Sequence, residues 1–397
     1  MTERAPEPSI ETTLIHHPYQ PPAGFSAPQP GVFKASTVIF SNVAAMRARN
    51  WKEKVGYTYG LHGTPTTFTL EERIATLEGG VHAVLVPSGL AAIALADVAL
   101  LRAGDEVLIP DNAYNPNKEL ARHELAGWGI AHRFYDPMDA NALAASVTPQ
   151  TKLVWIEPPG SVTMEFPDVA NLVRAARSKG ALVALDNTWG AGLAFNPFKL
   201  EDGLGVDVSA HALTKYPSGG GDVLMGSVTT RDPALHLKLN AAHMRMGWGV
   251  AANDVEAVLR ALPSLPLRYA AADRAGRTLA HWWATRSEVA QVLHPALSGS
   301  PGHEHWARLC TQSAGLFSVV FDARYTARQV DAFVDALRLF KIGFSWAGPV
   351  SLVVPYDLST MRKQPRWRGT LVRFSLGLEA VDDLIADSKQ ALAALDG

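Results

Sequence analysis

Residues 151–187 read TKLVWIEPPGSVTMEFPDVANLVRAARSKGALVALDN, and the reading of this stretch decides the fold. The apolar runs TKLVWI and ALVALD are rich in Val, Ile and Leu and too short for helices, while VANLVRAARSKG between them spaces its apolar residues as a helix does. Strand, helix and strand in succession describe a parallel pair joined by a crossover, and strands apolar along their whole length are covered on both faces. The alternation continues outward. Upstream, a helix FTLEERIATLEGG with Leu70, Ile74 and Leu77 on one face precedes the run HAVLVPSG, a helix starting near Leu90, the strand DEVLIPD and a helix around NKELARHELAGWG. Downstream come VDVSAHA and then the glycine-rich end of AHALTKYPSGGGD, residues 210–222. The expectation is an α/β unit built on a mostly parallel central sheet.

Either side of this unit the pattern changes. Residues 1–56 are spotted with proline (Pro18, Pro21, Pro22, Pro28, Pro30), which removes amide donors, so an extended N-terminal arm is expected. After about residue 255 a long helical region with an Arg-rich face (Arg260, Arg268, Arg274, Arg277) leads to GLFSVVFDA, the helix ARQVDAFVDALRLF, VSLVVPY and GTLVRFSLGLE. That succession predicts a smaller α+β domain over 256–397, after a large domain over 57–255.

Composition narrows the function. The chain has 397 residues, 47% hydrophobic and 19% charged, enough for two buried cores and typical of a folded globular protein. A formal net charge of -2 with thinly spread Lys and Arg offers no basic stripe for a nucleic-acid backbone. The single Cys310 excludes an internal disulfide and a multi-cysteine zinc site. The start, MTERAPEPSIETT, lacks the apolar core of a secretory signal. The apolar stretch LAAIALADVALL, interrupted by Asp97, is shorter than the ~20 residues a bilayer crossing takes. A cytoplasmic protein without a membrane partner is expected.

In such a sheet, ligands bind beyond the carboxyl ends of the strands. The residues there are Ser88, Gly89 and Leu90, then Asp111 to Tyr114, Glu157, Asp186 with Asn187 to Trp189, and Thr214 with Lys215. Singly these are weak signals. A Ser-Gly turn often only starts a helix, Asp186 could belong to a salt bridge, Tyr114 could be packing, and a lysine beside glycines usually marks a solvated turn. Together they are the parts pyridoxal 5'-phosphate (PLP) needs: an amine for its aldehyde, a carboxylate for its ring nitrogen and a helix start for its phosphate.

The chain resembles the Cys/Met-metabolism family of PLP enzymes. The likeness runs from about Tyr57 to near the end through YGLHGTPTTFTLEERIATLEGG, VPSGLAA, DNAYNPN, EPPGSVTMEFPDV, LDNTWGAG, LTKYPSGGGDVLMGSV, HPALSGSPGHEHW, FSWAGPVSL and GTLVRFSLGLEAVDDLIADS. It implies the fold type I PLP-dependent transferase-like architecture, with Lys215 as the lysine bonded to the cofactor and Asp186 facing the pyridine nitrogen. It implies Tyr114 stacked on the ring, and Gly89, Leu90 and Thr214 at the phosphate. Arg373, Ser345 and Trp346 match the clamp for the substrate's α-carboxylate, which suits an arginine fork. Tyr59 matches a tyrosine donated to the neighbouring subunit's site, so a homotetramer, a dimer of dimers with shared sites, is implied. Ala212, EPPGSVTMEF and SWAG are similar to the β-lyases of the family, which implies β-elimination from a small sulfur amino acid such as cystathionine. In that chemistry the freed amine of Lys215 takes the Cα proton, and Tyr59 is a candidate for assisting proton movement.

One departure is Leu61, where the family usually carries an arginine that reaches the cofactor phosphate. His62 or a basic residue of the arm is the expected substitute. A γ-lyase or γ-synthase, a broad cysteine-conjugate or cystine lyase, and an idle cofactor-binding regulatory protein are the competing readings. Glu119 is either a contact for a distal substrate ammonium or a surface charge. His303 and His305 lack a third ligand at helical spacing and read as surface, His16 and His17 as arm surface, and Trp282 and Trp283 as core or interface.

Overall fold

The computed structural model of the protein describes residues 9–52, 54, 56–362 and 366–396. The first eight residues of the expected arm lie outside the described residues.

Seven strands form the first sheet: β1 (His82–Val86), β2 (Glu106–Pro110), β3 (Ala131–Tyr135), β4 (Thr151–Ile156), β5 (Leu182–Asp186), β6 (Val208–His211) and β7 (Gly226–Thr230), in the order β1-β7-β6-β5-β4-β2-β3. The ladders β2–β3, β2–β4, β4–β5 and β5–β6 are parallel, whereas β7 runs antiparallel to both β1 and β6. Only β7 is therefore reversed.

Alternate residues of each strand feed two cores. On one face Leu108, Val154, Ile156, Val183 and Leu185 pack with Leu70, Ile74 and Leu77 of the helix Pro65–Glu78 and with Leu172 and Val173 of the helix Val169–Arg177. On the other face Val107, Ile109, Leu153, Trp155, Ala184 and Val208 meet Ile93 and Leu95 of the helix Gly89–Leu100 and Leu239 of the helix Pro233–Met246. Asp97 in that apolar helix accepts from Trp155 Nε1 at 2.9 Å, and burial pushes its carboxyl up to about 7. A proton on the second oxygen removes the cost of a buried charge.

The second sheet joins β8 (Val289–Leu293), β9 (Leu316–Phe321), β10 (Lys341–Ile342), β11 (Leu352–Tyr356) and β12 (Leu371–Ser375) in the order β10-β11-β12-β9-β8. It is antiparallel except for β10–β11. Trp283 is fully buried against it, with Phe321, Phe333 and Phe374 within 5.9 Å between ring centres. The long helical region is two helices, Ala252–Ala261 and Leu265–Ala284, separated by a single turn containing Pro263. Its arginines do not share one face: Arg277 pairs with Asp273 at 2.6 Å, and Arg268 donates from Nη1 to the carbonyl of Tyr216 at 2.7 Å.

The arm lies along the helix Pro65–Glu78. Phe33 N donates to Thr66 Oγ1 at 2.7 Å, and Arg73 donates to the carbonyl of Thr13. It also contains two short helices, Ile10–Ile15 and Val43–Arg47, that the proline pattern does not announce. Among the described residues no helix is long and apolar enough to cross a membrane.

Candidate active site

Lys215 stands four residues past the end of β6, on a turn whose construction explains the glycines that follow it. Gly219 has φ +65, and a Cβ there would lie 2.3 Å from Arg268 Nη1, the group that binds the Tyr216 carbonyl. The turn must pass close under an arginine, and only glycine leaves the room and adopts the dihedral. Tyr216 secures the other side by accepting the Gly315 amide on its hydroxyl at 2.8 Å.

From this turn Lys215 Nζ reaches across to the second sheet, donating to Ser345 Oγ at 2.6 Å and lying 5.2 Å from the Trp346 ring centre. Arg373, on β12 and 7% exposed, donates from Nη2 to the Ser345 carbonyl at 3.2 Å. The structure thus gathers Lys215, Ser345, Trp346 and Arg373 into one cluster. Ser345 and Ala347 have φ of +83 and +69, a conformation non-glycine residues rarely hold without support. Burial, reinforced by the Arg373 charge and opposed by Asp186, lowers the Lys215 ammonium to about 8. The shift is in the direction a proton acceptor requires, since a lowered pKa leaves more of the amine neutral near neutral pH.

Asp186 closes β5, accepting the Thr188 amide at 2.9 Å, while Thr188 Oγ1 accepts the Ala212 amide of the Lys215 segment at 2.9 Å. Burial raises the Asp186 carboxyl, against the pull of Thr188 and His211. Beneath it lies a fully buried network: Glu78 accepts from Asn187 Nδ2 at 3.0 Å and Ser209 Oγ at 2.6 Å, and its other oxygen meets His211 Nδ1 at 2.9 Å. The Tyr114 hydroxyl is raised first by burial and then by Asp186, Glu157 and Tyr356. The Tyr114 amide donates to Glu157 Oε2 at 2.7 Å, and burial together with Asp186 pushes the Glu157 carboxyl well up.

Gly89 and Leu90 open the helix Gly89–Leu100, capped by Ser88 Oγ accepting from the Ala91 amide at 3.1 Å. Their own amides have no acceptor among the described residues, as the first turn of a helix leaves them. A Cβ at Gly89 would come within 2.5 Å of the Ala212 Cβ, so the helix start and the Lys215 segment are in contact. Thr214 Oγ1 is engaged with Met225, donating to its carbonyl at 3.2 Å and accepting its amide at 3.1 Å. An amine, a carboxylate and a helix start with free amides converge at one sheet edge, and this set fits PLP.

Not every expected residue joins them. Tyr59 is 45% exposed, its ring edge-on to His62 at 5.9 Å, and it makes no hydrogen bond to the Lys215 cluster among the described residues. Leu61 packs toward Gly249. His62, one of the expected substitutes for the arginine, is engaged within its own loop. It hydrogen-bonds through Nδ1 with Thr58 Oγ1 at 2.7 Å and stacks on Trp51 at 5.6 Å, and burial with the Arg49 and Lys54 charges lowers its pKa. Glu119 pairs with Arg122 at 2.5 Å and His123 at 3.3 Å on its own helix, as a surface charge does. His303 Nδ1 meets the Pro295 carbonyl at 2.9 Å and His305 lies 3.6 Å from Asp168, so both are half-buried residues of a helix start, not a solvated turn. Among the described residues no group of three or more His, Cys, Asp or Glu is placed to hold a metal ion.

Tyr356 and Arg268 escape sequence reasoning. The Arg373 guanidinium lies 5.4 Å from the Tyr356 ring centre. The only sequence signal for Tyr356 is an aromatic at the end of VSLVVPY; Arg268 stands out only as one of the arginines of the long helical region, with nothing to tie it to the Lys215 turn.

The comparisons agree with this geometry. The family model described as Cys/Met metabolism PLP-dependent enzyme matches residues 11–393. A cystathionine beta-lyase of Bordetella avium is 38% identical over 391 residues, covering 96% of both chains. Cystathionine beta-lyase MetC of Escherichia coli K12 is 35% identical over 370 residues, covering 91% of this chain and 92% of its own. The solved cystathionine gamma synthase of Xanthomonas oryzae pv. oryzae in complex with cystathionine superposes with a TM-score of 0.90 at 28% identity, covering 98% of this chain and 99% of that one. The chain belongs to the Cys/Met-metabolism family of PLP-dependent enzymes.

Proposed function

We propose that the chain is a carbon–sulfur β-lyase that converts cystathionine and water to homocysteine, pyruvate and ammonia. The observation that carries this reading is the single cluster of Lys215 Nζ, Ser345 and Arg373, an amine of lowered pKa beside a buried arginine. Arg373 binds the substrate's α-carboxylate through its fork, supported by the Ser345 carbonyl and the Tyr356 ring. Lys215 Nζ then accepts the Cα proton. Bound PLP supplies the sink for the electron pair that this proton leaves behind. With PLP bound, Asp186 would hold the proton on the ring nitrogen, Tyr114 would lie beside the ring, and the amides of Gly89 and Leu90 would receive the phosphate. The thiolate departs from Cβ. Tyr59, exposed and outside its own cluster, is assigned to the site of a second copy of the chain.

The identities of 35–38% to proteins named cystathionine beta-lyase support the β-reading. Incubation of the purified holoenzyme with cystathionine, cystine and methionine in parallel tests this. Pyruvate from cystathionine is expected. 2-Oxobutyrate from cystathionine contradicts the β-reading, and pyruvate from cystine alone replaces the substrate.

A further inference from the structure

The connection between β11 and β12 carries Arg362, a residue only 7% exposed whose three guanidinium nitrogens are all committed to carboxylates. Nη2 donates to Asp111 Oδ1 at 2.7 Å and Nε to Asp111 Oδ2 at 3.2 Å, a two-pronged pair, while Nη1 donates to Glu165 Oε2 at 2.6 Å. Asp111 begins the loop that presents Tyr114. Glu165 is completely buried at the far end of the loop that begins with Glu157.

These two loops interlock at the same place. Asn112 Nδ2 and Thr163 Oγ1 donate to Glu165 Oε2 at 3.0 and 2.8 Å. A Cβ on Gly160 would lie 2.0 Å from Asn112 Nδ2, so the loops touch backbone to side chain. At their active-site ends they meet again, where the Tyr114 amide donates to Glu157. One arginine from the β11–β12 connection therefore ties together both loops behind the tyrosine.

We propose that Arg362 is a positioning residue of the active site: by joining Asp111 to Glu165 it locks the 111–114 and 157–165 loops against each other and thereby fixes where the Tyr114 ring stands. The inference rests on the proposed PLP chemistry, because the placement of Tyr114 matters through the ring it flanks. Its chemistry is particular to a guanidinium. Two carboxylates approached from different directions need a rigid planar fork, which an ammonium does not supply. Arg366 is a natural control, since it pairs with Asp136 at 2.6 Å and Glu165 at 2.9 Å but not with Asp111.

The test compares wild-type, Arg362→Gln, Arg362→Lys and Arg366→Gln holoenzymes by visible circular dichroism of the bound cofactor, PLP dissociation constant, kcat and KM on cystathionine, and thermal midpoint. Arg362→Gln is expected to weaken the cofactor's dichroic band, raise the PLP dissociation constant and lower kcat/KM by roughly ten- to a hundredfold, as displacement of a group flanking the reacting centre does. Arg362→Lys should show the same changes to a smaller degree, and Arg366→Gln should lower the thermal midpoint with the band intact. An Arg362→Gln enzyme with a lowered thermal midpoint but wild-type dichroism and dissociation constant overturns the proposal, leaving Arg362 a purely structural clamp. If Arg362→Gln does not fold, unchanged dichroism and dissociation constant in Arg362→Lys overturn it equally. A wild-type protein with no visible band at all sinks the PLP reading itself, a separate result.

Discussion

Lys215 behaves unlike an ordinary surface lysine because three surroundings act on one nitrogen. Burial and the Arg373 charge disfavour its proton, and Asp186 partly restores it, leaving the ammonium at about 8. The folded pKa lies below the usual 10.5, so between about pH 8 and 10.5 the unfolded chain binds more protons than the folded one. The cofactor-free protein should accordingly gain stability as pH rises through that window, a gain that Lys215→Met removes; urea midpoints from pH 7 to 10 measure it. A midpoint difference between the two proteins that stays flat over that range would contradict the lowered pKa. At this scale the sequence was most informative. Lys215, Asp186 and Tyr114 draw attention because each follows a strand end, whereas Arg373 is reached only through the family resemblance. Arg362 and Tyr356 are not legible: the carboxylates that Arg362 binds, Glu165 and Asp111, are 197 and 251 residues away in the chain, and nothing local marks either residue.

The helix Pro65–Glu78 is fastened to the sheet by its last residue. Glu78 is fully buried and accepts from Asn187 and Ser209 while pairing with His211, so its removal strands three polar side chains in the core. Glu78→Ala is expected to cost about 3 kcal/mol or more, from groups left unpaired at about 1–3 kcal/mol each. Urea denaturation at neutral pH measures it, and a loss below about 1 kcal/mol would show that the network is not holding the helix. The elements themselves follow from pattern. The buried strands β1, β2, β4, β5 and β6 read correctly because buried parallel strands are continuously apolar, whereas β3, an edge strand reading AHRFY with exposed positions, and the helix Ala140–Ser146 after it go unannounced. The reversal of β7 is not legible either, because GDVLMGSV looks the same in either direction and only its partners on both sides fix it. Strands β8 and β10 are equally hidden: one is a half-exposed edge and the other two residues long.

At the scale of the whole molecule, the arm and the loop bearing Tyr59 leave large apolar side chains in solvent, with Ile39 at 91% and Val43 at 56% exposure. A second copy of the chain is the partner proposed to cover them. If Tyr59 serves the neighbour's site, mixed assemblies of Lys215→Ala and Tyr59→Phe subunits, each nearly inactive alone, should regain activity because one of the two shared sites then contains both native residues. No recovery after unfolding and refolding the mixture would place Tyr59 outside catalysis across the boundary. The claim on which the rest depends is the bond between one amine and the cofactor. Borohydride reduction of the holoenzyme followed by peptide mapping tests it most directly: the account predicts a single stable pyridoxyl adduct on the peptide containing Lys215, and an adduct on another lysine, or none, would contradict it.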